Sequence, residues 1–105
     1  MRKLIISLLL IVILLSGCTT PSKEDSKLAK ELCVKKCQEA LSNHENLSDG
    51  PCLSNEIIKD WVCDVAHSPR QDVDNLRENQ CDAWHSKQAR HFVEVDPECR
   101  FIKAY

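Results

Sequence analysis

Two cysteine–histidine pairs with the same spacing carry the most suggestive chemistry in the chain. His67 follows Cys63 by four residues, and His85 follows Cys81 in the same way. Two thiolates and two imidazoles are a ligand set that zinc accepts in a tetrahedral site. If residues 61 to 66 form a strand, Cys63 and His67 lie about 13 Å apart at ~3.3 Å per residue, which is too far to share one ion. We therefore favour disulfides over zinc for the cysteines.

The polar segment after residue 63 holds candidates for acid–base chemistry. A histidine beside an orienting carboxylate can act as a general base, so His67 with Asp64 or Asp74 is a candidate catalytic pair. His91 is a second candidate, with Glu94 three residues downstream. No serine or free cysteine lies in a recognisable nucleophile setting. The same histidines, together with His85, are the candidate ligands of a histidine-based metal site.

A simpler interpretation of this segment is a solvated loop without chemistry. Salt bridges such as Arg70 with Asp72 or Asp74 would hold such a loop together. We favour this interpretation, because charge clusters on protein surfaces are common and contribute little. Trp61 and Trp84 are likewise expected in the core rather than in a ligand-stacking surface.

Seven cysteines are an odd number for a chain of 105 residues. Setting Cys18 aside leaves six, enough for three structural disulfides in an exported protein: Cys33, Cys37, Cys52, Cys63, Cys81 and Cys99. At ~2 to 4 kcal/mol each, three bridges would supply much of the stability of a small domain.

The spacing of the cysteines favours some pairings over others. Cys33 and Cys37 leave the same helix face about one turn apart, so each is expected to reach a different partner. Cys63 and Cys99, on predicted strands, are the preferred partners, which leaves Cys52 with Cys81. Six cysteines allow fifteen maps, so this pairing is one of many. A helical Cys-x3-Cys is similar to that of cystine-stabilised αβ toxins and defensins. The chain lacks their Cys-x-Cys strand, however, and is not assigned to them.

The N-terminus has the features of an export signal. Arg2 and Lys3 precede a largely apolar run from Leu4 to Leu15, and Leu15-Ser16-Gly17-Cys18 follows. A helix of that length spans about 18 Å, well short of the ~30 Å of a bilayer core. A basic start, a short apolar run and small residues are typical of a signal peptide.

Leu15-Ser16-Gly17-Cys18 resembles the lipobox of prokaryotic lipoproteins. The resemblance implies that Cys18 becomes the first residue of the mature protein and carries a diacylglycerol thioether with acyl chains such as palmitate. Two or more acyl chains anchor a protein stably, where one chain would be marginal. The expected location is therefore the extracytoplasmic side of a cell membrane. The alternatives are an ordinary cleaved signal or an uncleaved anchor, with Cys18 as one more cysteine.

The remaining sequence predicts one small domain after a tether. Residues 1–17 are the predicted signal peptide, 18–26 the lipidated cysteine and flexible tether, and 27–105 a cysteine-rich domain. Apolar and cysteine residues at three- and four-residue spacing predict a helix over 27–42, and Asn43 to Asn55 is predicted as loop.

The second half of the chain predicts a sheet. A strand is expected over 61–66, an irregular stretch over 70–80, a short helix within 77–87, and a hairpin from residues 92–95 and 101–105. The expected fold is α+β, with an N-terminal helix packed on a small, largely antiparallel, disulfide-stabilised sheet.

Composition excludes several classes of function. The net charge of −2 argues against a nucleic-acid partner, and two glycines cannot form a nucleotide-binding loop. No cofactor is predicted. The favoured function is a binding module for an envelope protein or a small ligand. The alternatives are a small hydrolase, using His67 or His91 with nearby carboxylates, and a metal-binding protein.

Overall fold

The computed structural model describes residues 23–105. The predicted signal peptide and Cys18 lie outside this range. Its elements are helix α1 (Lys23–Ser42), strands β1 (Cys52–Ile58) and β2 (Trp61–Val65), two 3-10 turns (Asp72–Asn75 and Arg77–Asn79), helix α2 (Asp82–His85), and strands β3 (His91–Val95) and β4 (Phe101–Ala104). In the part of the chain that the structure describes, no helix is long and apolar enough to cross a membrane.

Helix α1 forms because its small buried residues recur once per turn. Ala29, Cys33, Cys37 and Ala40 are buried, while charged residues occupy the other faces. Acidic Glu24 and Asp25 in its first turn favour the positive end of the helix dipole. The helix includes residues 23–26, which the sequence analysis placed in the tether, because that polar stretch lacks a residue that would prevent helix formation.

The four strands form one sheet in the order β1-β2-β3-β4. The outer pairs, β1 with β2 and β3 with β4, are antiparallel, but the central pair β2–β3 is parallel. The α+β class and its disulfide stabilisation are confirmed, with a mixed sheet in place of a largely antiparallel one. A parallel pair needs a long crossover, and residues 66–90 provide it.

The alternation of side chains gives the sheet two different faces. Cys63, Val65, Val93 and Val95 point towards α1 and form the main core with it. Val62 and Phe92 point the other way, towards the crossover and α2. We call these the helix side and the crossover side of the sheet. Because both faces are covered, β2 is almost continuously apolar.

Three disulfides join these layers. Cys33 bonds to Cys63 and Cys37 to Cys99, so α1 is tied to β2 and to the β3–β4 turn. Cys52 bonds to Cys81, which ties β1 to the crossover just before α2. The two helical cysteines therefore reach different strand-side partners, and the remaining two bond each other, as the preferred map has it.

Two segments differ from their sequence-based predictions. Residues 52–55, predicted as loop, belong to β1, whose pairing with β2 contains bulges that weaken its alternation. The stretch 70–80, predicted as irregular, contains the two 3-10 turns. These short turns carry no helical periodicity that a sequence pattern could show.

Candidate functional site

A pocket with a volume of about 200 Å³ opens on the crossover side of the sheet. Its floor combines apolar and ionisable side chains from three adjacent strands: Val62 and Asp64 on β2, Phe92 and Glu94 on β3, and Lys103 on β4. The crossover supplies the walls, among them Arg70 and Trp84. A small pocket with an apolar body and a few convergent polar groups is typical of a ligand site.

Two carboxyl groups lie side by side on the pocket floor. Asp64 and Glu94 are directly opposite residues in the parallel register of β2 and β3, so their side chains leave the same face. The Asp64 Oδ1 atom is buried and has no hydrogen-bond partner in the part of the chain that the structure describes. A buried polar atom without a partner is costly, and here it belongs to a residue that lines the pocket.

The surroundings of Asp64 favour its protonated form. Burial raises the pKa of Asp64 to about 8, the negative charge of Glu94 adds to the rise, and the Arg70 guanidinium opposes it. At neutral pH the Asp64 carboxyl is therefore mostly neutral and can donate a hydrogen bond into the pocket. A carboxyl in this state can also accept one.

Glu94 differs from Asp64 because two cations neutralise it. Only 5% of Glu94 is exposed, and its Oε2 atom accepts a hydrogen bond from Arg70 Nη1 at 2.9 Å. Lys103 Nζ lies 3.9 Å from the other oxygen, Oε1, at the pocket mouth. Glu94 is therefore a fixed, paired charge beside a neutral acid.

Arg70 is held by partners other than the predicted ones. Its Nε donates to Asn75 Oδ1 at 2.7 Å, and its Nη2 donates to the backbone carbonyl of Asp74 at 3.2 Å. The predicted salt bridge to the side chain of Asp72 or Asp74 is wrong, because the guanidinium reaches across to Glu94 on β3. The segment 70–75 is thus connected to the pocket floor.

Aromatic side chains close one end of the pocket. The Trp84 ring meets Phe92 edge to face, with centroids 5.0 Å apart, and Phe92 stacks on Tyr105 at 5.5 Å. Trp84 is partly buried and packs against the core on the crossover side, as expected, and it also lines the pocket. Trp61 is 4% exposed and stacks on His91 on the helix side.

His67 and Asp74 form a buried pair next to the pocket. His67 Nδ1 lies 2.9 Å from Asp74 Oδ1, and Asp74 Oδ2 accepts the backbone N–H groups of His67 and Gln71, each at 2.9 Å. The predicted pairing of His67 with Asp74 is present, whereas no contact joins His67 to Asp64 in the described residues. Since Asp74 also caps its own 3-10 turn, the pair holds the crossover in place.

The other candidate histidines do not line this pocket, although His85 contacts Gln80, which does. His85 Nε2 is 2.6 Å from Gln80 Oε1. His91 is on the helix side, with Nδ1 3.2 Å from the carbonyl of Tyr105 and Nε2 3.8 Å from an Asp60 carboxylate oxygen.

The structure argues against the zinc hypothesis, because neither Cys63 nor Cys81 is a free thiol. Cys63 and Cys81 are both oxidised, in disulfides with Cys33 and Cys52. Across residues 23–105, no group of three or more histidine, cysteine or acidic residues could hold a metal ion. The histidines His67, His85 and His91 therefore do not converge on a shared ion.

Sequence reasoning found Asp64 but missed the pocket around it. Glu94 was noted only as a neighbour of His91, and Lys103 was not singled out. Alternation placed Val62 with Asp64 and Phe92 with Glu94. Only the parallel pairing of β2 with β3, which alternation does not specify, brings the two carboxyls together.

Comparisons with known proteins do not indicate a function for the chain. No protein-family model matches the chain, and neither a curated protein nor a solved structure matches it. The function is therefore argued from the pocket and its charges.

Replacing Asp64 by asparagine should remove a pH dependence of stability. The pKa of Asp64 is raised in the folded protein to about 8 from an ordinary value of 3.8, so the folded state holds this proton more tightly than the unfolded state does. The resulting stabilisation is complete at low pH and is lost as the pH rises through the folded pKa. We expect the Asp64→Asn variant to gain up to about 1.4 kcal/mol in free energy of unfolding relative to the parent for each pH unit from about pH 5 up to the folded pKa of Asp64.

Urea unfolding of both proteins over this pH range measures the effect. The difference between the two curves isolates Asp64, because every other titrating group is common to both. Parallel curves would show that Asp64 is ionised throughout.

Proposed function

We propose that the protein is a lipid-anchored binding module on the extracytoplasmic side of a prokaryotic cell membrane. The observation that carries the binding part is the pocket, in which a buried Asp64 oxygen without a partner lies beside an ion-paired Glu94. The anchoring part rests on the lipobox resemblance of Leu15-Ser16-Gly17-Cys18. Lipid attached at Cys18 would be its contact with the membrane.

The disulfides support an extracytoplasmic location. Structural disulfides persist in oxidising compartments and are rare in the cytosol. Each described cysteine is in a bridge, which leaves Cys18 as the thiol available for lipid. The three bridges also hold both faces of the sheet, so the pocket is preorganised for binding.

Binding is favoured over hydrolysis by the positions of the histidines. His67 is fixed by Asp74 within the crossover, and His91 lies against Trp61 on the helix side. A general base must reach the proton that it abstracts, and neither histidine lines the pocket that holds Asp64 and Glu94, whereas His91 lines a separate open groove beside Asp60. The same separation argues against a histidine-based metal site.

Replacing Cys18 by serine should release the protein from the membrane. Serine is close in size to cysteine but cannot take up the thioether-linked lipid, so the dominant membrane affinity would be lost. We expect the parent protein in the membrane fraction and Cys18→Ser largely in the soluble extracytoplasmic fraction. Alternatively, it would remain as a longer, unprocessed form. Cell fractionation and immunoblotting measure both outcomes.

Thr20→Ser is the matched control for this experiment. It changes one side chain two residues downstream and leaves the cysteine and the preceding small residues intact. It should therefore fractionate like the parent. A Cys18→Ser protein that is processed normally and stays in the membrane fraction would show that lipid is not the anchor.

A further inference from the structure

The charges of the pocket select among classes of ligand. With Asp64 mostly protonated at neutral pH, Glu94 carries one negative charge, and Arg70 and Lys103 carry one positive charge each. We propose that the pocket binds a single uncharged saccharide ring, an assignment that rests on the proposed binding function and adds the ligand class to it.

A cationic ligand is disfavoured by the groups already present. It would approach Arg70 and Lys103, which lie 2.9 Å and 3.9 Å from Glu94 and already neutralise it. It would also require Asp64 to lose its proton in a site where burial opposes ionisation. Both effects reduce the affinity for an ammonium group.

An anionic ligand is disfavoured as well. It would have to compete with Glu94, which is 5% exposed, for the two cations that Glu94 already pairs. Glu94, Asn75 and the Asp74 carbonyl already engage three of the five N–H donors of Arg70, which leaves two for an anion. Lys103 is the other cation, and its side chain is 59% exposed, where an ion pair contributes little to affinity.

An uncharged hydroxyl group fits the same site without these costs. A hydroxyl both donates and accepts hydrogen bonds, so it can pair with the Asp64 carboxyl whether that carboxyl is protonated or not. A neighbouring hydroxyl can donate to the lone pairs of Glu94 that Arg70 leaves open. The pocket therefore offers donors and acceptors that complement the hydroxyl groups of a polyhydroxylated ring.

The apolar side of the pocket matches the carbon faces of such a ring. Trp84 lines the pocket, and Val62 and Phe92 form the apolar part of its floor. Burying the C–H surface of a ring against these side chains contributes favourable binding free energy. Hydrogen bonds contribute less, because the ligand exchanges them for hydrogen bonds with water. The volume of about 200 Å³ lies below the usual range for drug-sized ligands, which favours one ring over a chain of rings.

Nuclear magnetic resonance of the wild-type protein in detergent micelles tests the assignment without any substitution. The neutral probes are methyl glucoside and N-acetylglucosamine, and the charged probes of similar size are cyclohexylammonium and cyclohexanecarboxylate. We expect a neutral probe to shift the Trp84 indole signal and the Asp64 and Glu94 amides, saturating with a Kd on the order of millimolar. The Trp61 indole, on the helix side, is the internal control.

Three variants check that the ligand occupies the pocket. Trp84→Ala and Asp64→Leu should each weaken binding by about tenfold or more, because one removes the apolar wall and the other the hydrogen-bonding group. Asp64→Asn should stay within about threefold, since an amide also donates and accepts. Leu41→Ala, at an exposed site on α1, is the control and should bind normally.

The outcomes separate the ligand class from the binding function. Saturable shifts with a charged probe and none with the sugars would keep the pocket as a binding site and overturn the saccharide assignment. No shift at these residues with any probe would overturn both. Binding of a sugar that Asp64→Leu and Trp84→Ala leave unchanged would place it elsewhere and also overturn the assignment.

Discussion

Replacing Cys37 and Cys99 together by alanine is expected to lower the free energy of unfolding by about 4 kcal/mol. The bridge closes a loop of 62 residues, the longest of the three described disulfides. A crosslink restricts the unfolded chain more as its loop lengthens, and this length corresponds to roughly 4 kcal/mol at room temperature. Urea unfolding followed by tryptophan fluorescence measures the loss.

The Cys52–Cys81 bridge supplies the matched control for this prediction. Its double alanine variant removes the same atoms but opens a separation of 29 residues. The loop-entropy relation makes its cost about 0.7 kcal/mol smaller. A Cys37/Cys99 variant no less stable than the Cys52/Cys81 variant would show that loop length does not set the order, and that local packing does.

The sequence predicts those elements whose pattern is local. Helix α1 carries buried residues at one-turn spacing, and the Trp61–Val65 strand is a short β-branched and aromatic run. The β3–β4 hairpin is marked by Asp96-Pro97-Glu98 between apolar runs. There the Asp96 carboxylate accepts the backbone N–H groups of Glu98 and Arg100, which fixes the turn.

The candidate site could not be predicted in the same way, because it depends on long-range pairing. Asp64 and Glu94 are 30 residues apart and meet only through the parallel register of β2 with β3. Arg70 reaches Glu94 from the crossover, across 24 residues. Side-chain alternation fixes which face a residue occupies but neither the direction nor the order of the strands.

The partners of Asp74 show the same limit at short range. Charge spacing in the sequence suggested an ion pair between Arg70 and an aspartate two or four residues away. In the fold, Asp74 turns inward to backbone N–H groups, which are stronger competitors in a buried turn. Arg70 is then left to pair with Glu94. The burial of Asp74 therefore determines the partners of both Asp74 and Arg70.

Among substitutions of a single residue, Asp74→Ala has the largest expected loss in free energy of unfolding, about 3 kcal/mol. Asp74 is 2% exposed, and its removal leaves two part-buried backbone N–H groups and the His67 ring without their acceptor. Burial acts to raise the pKa of Asp74, but the hydrogen bonds from Gln71 and His67 outweigh it and hold the pKa below 3.8. The stabilisation is thus present at neutral pH and lost as the pH falls below about 4.

Asp72→Ala is the control, because Asp72 is exposed two residues away on the same turn and should change stability by less than about 0.5 kcal/mol.

Gly50→Ala tests the surroundings of Asp74 through a second residue. A methyl group there would lie 2.5 Å from Asp74 Oδ1, at a backbone φ of +69° that favours glycine. Both Asp74→Ala and Gly50→Ala should also weaken ligand binding, since the Asp74 carbonyl holds Arg70 against Glu94. Equal stability of the Asp72 and Asp74 variants at neutral pH would show that the buried hydrogen bonds of Asp74 do not hold the crossover.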